Sequence, residues 1–249
     1  MFERVIAIDS AGDTLGLAAS SGGKLLAATE LQASRRHVES LLPQLDLLLQ
    51  RLGWQPEAIE LVAVAAGPGS FTGLRVGLAA AKGLCVATGA ALVLVPSLTA
   101  RAQTIATADA APPELVIVAE DARKSRVYTQ LFRIASDRQV IELTQVVDIA
   151  PDQLAEHWSA AELPGQNAAG CSWLAVGSGA HLVSDAAAVQ FGAANQVPAV
   201  GSDQSTVRAV AALGRSAALD GKVAGQYAAP NYLRSGDIGN QKRYPRFGA

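Results

Sequence analysis

The chain has 249 residues, half of them hydrophobic and 17% charged, with a formal charge of −2. Such a composition excludes a disordered chain, because there is ample apolar surface for a core. It also excludes a strongly basic stand-alone nucleic-acid binder, since phosphate contacts need a positive surface. Cys85 and Cys171 are the only cysteines and no CxxC occurs, which argues against a disulfide framework or a structural zinc site. Met1-Phe2-Glu3-Arg4-Val5 leads straight into a strand pattern and lacks the regions of a signal peptide. The most apolar stretch, Gly83 to Leu98, is too short to span a bilayer. These features read as a cytoplasmic, reduced, soluble protein.

Val5-Ile6-Ala7-Ile8 reads as a buried strand ending at Asp9-Ser10. Leu15 to Ala18 and Leu25 to Ala28 read as two further strands, joined by a tight hairpin at Gly22-Gly23. Asp9, at the end of a first central strand, can hold a metal–phosphate or cap a turn. Ser34 to Leu52 is the strongest helical segment. Val38, Leu41, Leu42, Leu45, Leu48, Leu49 and Leu52 follow the i, i+3, i+4 rule. Pro43 should bend this helix or free one carbonyl. Leu47 widens the apolar surface beyond one stripe, so a partner helix can be accommodated there. The face closest at hand for that partner is expected to be Leu41, Leu45 and Leu48. His37, a single histidine beside the stripe, suits a hydrogen-bonded surface or core role.

Leu61 to Ala66 is a strand-length apolar run, followed by Gly67-Pro68-Gly69-Ser70-Phe71-Thr72-Gly73 and a helix from Thr72 to Leu84. Strand, glycine loop and helix N-terminus together can bind an anion. A tight turn with a packing role explains the same residues, and the spacing fits neither the dinucleotide fingerprint nor the P-loop. Ser70 or Thr72 can cap the helix. Gly73, Gly77 and Ala81 form a stripe of small residues that lets another backbone approach closely.

Further on, Ala91 to Val95 is a strand closed by Pro96, and a short helix covers Ser97 to Ala108. Ala111-Pro112-Pro113 reads as a linker between lobes. The domains are therefore 1–110, 111–204, and a third segment, 205–249, in which a helix returns towards the first lobe ahead of a basic tail. In the second lobe, strands are expected at Leu115 to Ala119, Val127 to Ile134, Val140 to Leu143, Trp173 to Val176 and Val197 to Val200. Glu120 to Lys124 should be a charged turn and Pro164 to Gly170 a loop. Helices are expected over Asp152–Trp158, 180–189 and Ser205–Leu219. The tail carries Arg234, Lys242, Arg243 and Arg246 against Asp237.

Strand–strand–strand–helix–strand–helix–strand, followed by a similar second half, resembles the α/β, actin-like and sugar-kinase-like ATPase fold, with two lobes of mixed sheet flanked by helices. At the level of motifs the chain resembles the TsaB family. The motifs are Ala66 to Gly77 with Ala81-Lys82-Gly83-Leu84; His37 and Leu41-Leu42-Pro43; Asp121-Ala122-Arg123-Lys124 with Val127-Tyr128; and Pro230-Asn231-Tyr232-Leu233-Arg234. They occur in order along nearly the whole chain.

The resemblance implies a non-catalytic scaffold that pairs with TsaD, a homologous catalytic subunit, to make threonylcarbamoyladenosine beside the anticodon of tRNA. TsaE joins through that pair, tRNA binds only within the assembly, and the chain alone forms a homodimer through the same face. It implies no cofactor of its own, ATP and a metal ion belonging to the assembled complex. The expected partner interface comprises Arg35, His37, Val38, Leu41, Leu42, Leu45 and Leu48 on the first helix. From the glycine motif it adds Gly69, Ser70, Phe71, Thr72, Gly73, Arg75, Gly77, Leu78 and Lys82.

Ser97 and Arg101 stand where the catalytic relative carries two metal-binding histidines, and a charged arginine cannot ligate a metal. Asp121 to Lys124 lacks the glycines of a second phosphate loop. Asp9, Asp121, Gly177 and Gly179 then read as remnants of a nucleotide cleft, or as ordinary turns. Gly170 to Leu174 lacks the closing glycine of a nucleophile elbow, and no HExxH occurs. The alternative function is a self-sufficient ATPase or small-molecule kinase of the same fold.

Overall fold

The computed structural model describes residues 2–33, 36–108, 111–159, 171–197, 205–225 and 228–233. Uninterrupted apolar runs become strands buried on both faces. Strands β1 (Arg4–Asp9), β2 (Thr14–Ser21) and β3 (Lys24–Gln32) form an antiparallel meander. Helix α1 (His37–Leu52), β4 (Leu61–Ala65), α2 (Phe71–Thr88), β5 (Ala91–Val95) and α3 (Ser97–Ala106) follow. β4 pairs parallel to both β1 and β5, so the first sheet has the order β3-β2-β1-β4-β5. Gly22 and Gly23, at φ 58° and 87°, make the hairpin turn between β2 and β3.

The second sheet is built from β6 (Leu115–Arg123), β7 (Arg126–Ile134), β8 (Val140–Glu142), β9 (Val147–Ile149) and β10 (Trp173–Val176). Its order is β10-β6-β7-β8, with β9 also paired to β7. Helices α4 (Leu154–Ser159), α5 (Ala180–Phe191) and α6 (Val207–Leu219) complete the fold.

α1 and α2 cover one face of the first sheet, where Leu41, Leu45, Leu48 and Leu78 meet Ile6, Ile8, Leu15 and Val64. α6 covers the opposite face, with Val207, Val210 and Ala211 against Val5, Ala7, Leu61 and Ala63. On the second sheet, Trp158 of α4 and Val183 and Phe191 of α5 pack on Trp173, Ile117 and Leu131. Leu98, Ala102 and Ile105 of α3 pack on Val116, Val118 and Phe132 from the other side. α3 also touches α6, so these two helices fill the space between the sheets.

Two local expectations need correction, one strand is new, and two further expectations lie wholly or partly outside the described residues. The charged stretch Glu120–Lys124 is mostly strand: β6 runs to Arg123, and left-handed φ values at Arg123, Lys124 and Ser125 turn the chain. Cross-strand pairing with β7 outweighs the charge of the segment. β9 has no counterpart in the sequence pattern, because three residues show no readable alternation. α2 continues past Leu84 to Thr88, since Ala87 and Thr88 need only the αL stop at Gly89. Of the expected strand Val197–Val200, residues 198–200 lie outside the described residues, while Val197 N donates to Trp173 O at 2.8 Å. The loop Pro164–Gly170 also lies outside them.

Candidate functional site

The glycine loop is held from three sides. Ala66 N donates to Val95 O at 2.8 Å, and Ser97 N donates to Gly67 O at 2.9 Å. Gly67 N in turn donates to the buried Ser97 Oγ at 3.0 Å. Gly67 has φ +97°, a left-handed conformation that favours glycine. Ser70 N donates to Ala11 O at 2.7 Å, and Ser70 Oγ accepts from Gly73 N at 3.2 Å. Ser70, rather than Thr72, therefore caps α2.

The small-residue stripe of α2 is filled from within the chain. A Cβ on Gly73 would collide with the carbonyl oxygen of Ser10, and one on Gly77 would collide with Ser10 Oγ. Ser10 is fully buried, and its Oγ donates to Gly73 O at 2.8 Å. Gly69 packs against Ala11 in the same way. The expectation that Gly73 and Gly77 offer a partner a close-packing surface is thus corrected: the end of β1 already lies in that groove.

α1 needs a similar correction. Leu41, Leu45 and Leu48, expected to face outward, are buried against the first sheet. A helix covering a sheet needs an apolar arc of about 100°, and these three leucines with Leu49 supply it. Leu78 on α2 is likewise buried. His37 is buried at the start of α1, and its Nε2 has no hydrogen-bond partner. What remains outside is Val38, 65% exposed, and Leu42, 61% exposed, one turn apart on α1, with Leu47, 38% exposed, further along the helix. Phe71, Thr72 and Arg75 are exposed on α2, and Lys82 is partly buried. Arg35 lies outside the described residues.

Tyr232 joins this outer surface. Its hydroxyl accepts from Arg75 Nε at 3.1 Å, and its ring centroid lies 5.1 Å from that of Phe71. It appears in the sequence only as part of a C-terminal motif, with no signal of what it would touch.

Asp9 and the second-lobe residues are occupied by the chain's own groups. Asp9 Oδ1 accepts from Ala11 N at 3.0 Å, and Oδ2 accepts from the Thr206 hydroxyl. Asp121 and Gly179 come together across the β6 and β10 strand ends, with Asp121 N 3.0 Å from where a Gly179 Cβ would stand. A Gly177 Cβ would strike the Ala119 carbonyl. Glu120 closes this corner: its Oε2 accepts from Ser178 N at 3.1 Å and from Ser178 Oγ at 2.6 Å. Ser178 Oγ also accepts from Asp121 N at 2.9 Å. Asp121 Oδ1 takes Arg123 N at 2.7 Å. An internal carboxylate therefore sits at the N-terminal end of α5, where the helix dipole favours negative charge. Arg101 reaches the same carboxylate, Nη2 to Glu120 Oε1 at 3.4 Å. Glu120 and Thr206 carried no sequence signal, because their partners are 58 and 197 positions away.

A family model described as "TsaD: tRNA N6-adenosine threonylcarbamoyltransferase" matches residues 31–246. The "tRNA threonylcarbamoyladenosine biosynthesis protein TsaB" of Haemophilus influenzae is 31% identical over 175 residues, 69% of this chain and 73% of that protein. The TsaB of Escherichia coli is 34% identical over 125 residues, 50% of this chain and 53% of that protein. YeaZ from Pseudomonas aeruginosa superposes with a TM-score of 0.72 at 21% identity, covering 93% of this chain and 100% of that one. The α/β architecture of two mixed sheets with flanking helices is shared with that structure. The chain belongs to the TsaB family, within the broader TsaD-type family that the matching model describes.

Proposed function

We propose that this chain is a non-catalytic scaffold subunit in tRNA threonylcarbamoyladenosine biosynthesis. It binds TsaD, and through that pair TsaE, while threonylcarbamoyl is transferred to the adenosine beside the tRNA anticodon. The pathway is supported by the names that its relatives carry. The observation that carries the scaffold reading is the commitment of Ser97 and Arg101 to structural work. Ser97 Oγ holds Gly67 N, and Arg101 pairs with Glu120. Neither is a metal ligand in that state. The Glu120 carboxylate at Ser178 supports the same conclusion for a nucleotide phosphate, since a second anion is repelled from the Ser178 N–H and hydroxyl that Glu120 already occupies.

The docking surface is the outer side of α1 and α2: Val38 and Leu42, with Phe71, Thr72 and Arg75. The same surface serves a homodimer when TsaD is absent. ATP and the metal ion belong to the assembled complex. tRNA is met only there, with the basic tail, outside the described residues, adding a modest contribution. Among the described residues no helix is long and apolar enough to cross a membrane, and a cytoplasmic setting fits the pathway. Co-purification with a TsaD protein and reconstitution of tRNA modification test the reading. ATP turnover by the isolated chain that vanishes in Asp9→Ala would favour the ATPase or kinase instead.

A further inference from the structure

After α6 the chain runs back over the first lobe. Ala224 N donates to Leu92 O at 2.7 Å on β5, and Asn231 N donates to Ala66 O at 2.7 Å at the end of β4. The Asn231 carbonyl lies 3.1 Å from where a Gly67 Cβ would stand. This seats the next residue, Tyr232, over the first turn of α2. There Phe71 and Arg75 are one turn apart, so ring and guanidinium meet: Arg75 Cζ lies 3.9 Å from the Phe71 centroid. Tyr232 clamps the pair, its ring 5.9 Å from the same guanidinium carbon and its hydroxyl bonded to Arg75 Nε. Phe71 stays 43% and Tyr232 37% exposed.

Two aromatic rings and an arginine left at the surface form a combination enriched among binding anchors. An arginine already resting on the Phe71 ring and hydrogen-bonded to the Tyr232 hydroxyl loses less freedom on binding. From this we infer that Tyr232 is a positioning residue for partner docking. It holds Phe71 and Arg75 as a preformed anchor for TsaD, and the remaining donors of Arg75 meet a carboxylate of that partner. The inference rests on the docking surface proposed above. TsaD is the fitting occupant because the TsaD-type model matches residues 31–246 of this chain.

The test measures affinity of the full chain for a TsaD protein by titration calorimetry, together with the melting midpoint of each variant. Tyr232→Ala should weaken binding about tenfold with its midpoint unchanged, and Tyr232→Phe, which keeps the ring, should recover part of the loss. Because Tyr232 acts in part through Arg75, Tyr232→Ala should cost less affinity in an Arg75→Ala background than in the unaltered chain. Full additivity overturns the inference. So does a loss of affinity that tracks a lowered midpoint and is not recovered by phenylalanine. Leu42→Arg is the control for the docking surface. If it abolishes binding while Tyr232→Ala binds normally, the inference fails and the surface stands. If Leu42→Arg binds normally, the surface and the inference both fall.

Discussion

Ser10 and Gly73 are locked together at the point where β1 ends and α2 begins. Ser10 Oγ donates to the Gly73 carbonyl at 2.8 Å, and the Ser10 carbonyl occupies the space that a Cβ on Gly73 would need. The helix can sit this low on the sheet only because three glycines, at 69, 73 and 77, remove the side chains from the contact. That seating determines which faces of α2 are left for function. Its glycine stripe is spent inside the lobe, and Phe71 and Arg75 point away from it.

Glycines of one helix should therefore respond oppositely to alanine. Gly73→Ala meets backbone and should destabilise by about 1–3 kcal/mol. Gly77→Ala should also destabilise, by displacing the buried Ser10 hydroxyl from its bond. Gly83 has nothing within 4 Å of the added carbon, so Gly83→Ala should stabilise by up to about 1 kcal/mol. Urea denaturation of the three variants checks the signs.

Leucines one turn apart on α1 should separate folding from binding. Leu45→Arg buries an unpaired charge and should cost about 3–5 kcal/mol. Leu42→Arg lies at the surface and should leave the fold intact while abolishing both the homodimer and the TsaD complex. Circular dichroism with analytical ultracentrifugation reads both outcomes. A folded Leu42→Arg chain that still dimerises and still binds TsaD places the interface elsewhere.

Ser97→Ala removes the acceptor of the Gly67 N–H inside the fold. A buried donor left unpaired costs about 1–3 kcal/mol. The denaturation midpoint should fall with no change in slope, and exchange of the Gly67 amide should accelerate. An unchanged midpoint would mean that the loop is held by its other contacts alone.

Burial pushes the Cys85 thiol up from its ordinary range. The folded state thus disfavours the thiolate more than the unfolded chain does. The resulting stability is full below the ordinary thiol pKa of about 8.5 and is lost as pH rises through the raised folded value. Stability should decline over that alkaline window, and Cys85→Ala should flatten the decline. Alkylation of Cys85 in the folded protein should be slower than in urea at the same pH.

Local patterns were sufficient for the order of the main elements, the hairpin at Gly22-Gly23 and the strand–glycine loop–helix unit, because each depends on near neighbours in the chain. The period of α1 was equally legible, but its phase was not. A heptad-like run of leucines has two plausible faces, and only the position of the sheet beneath α1 buries Leu41, Leu45 and Leu48 and leaves Val38 and Leu42 outside. Four relationships depend on partners distant in sequence: Ser10 in the glycine groove, Thr206 on Asp9, Glu120 on Ser178, and Tyr232 over Arg75. No periodicity encodes such pairs. They exist because the sheets, the interposed helices and the returning C-terminal segment bring separate strand ends and helix ends to the same place.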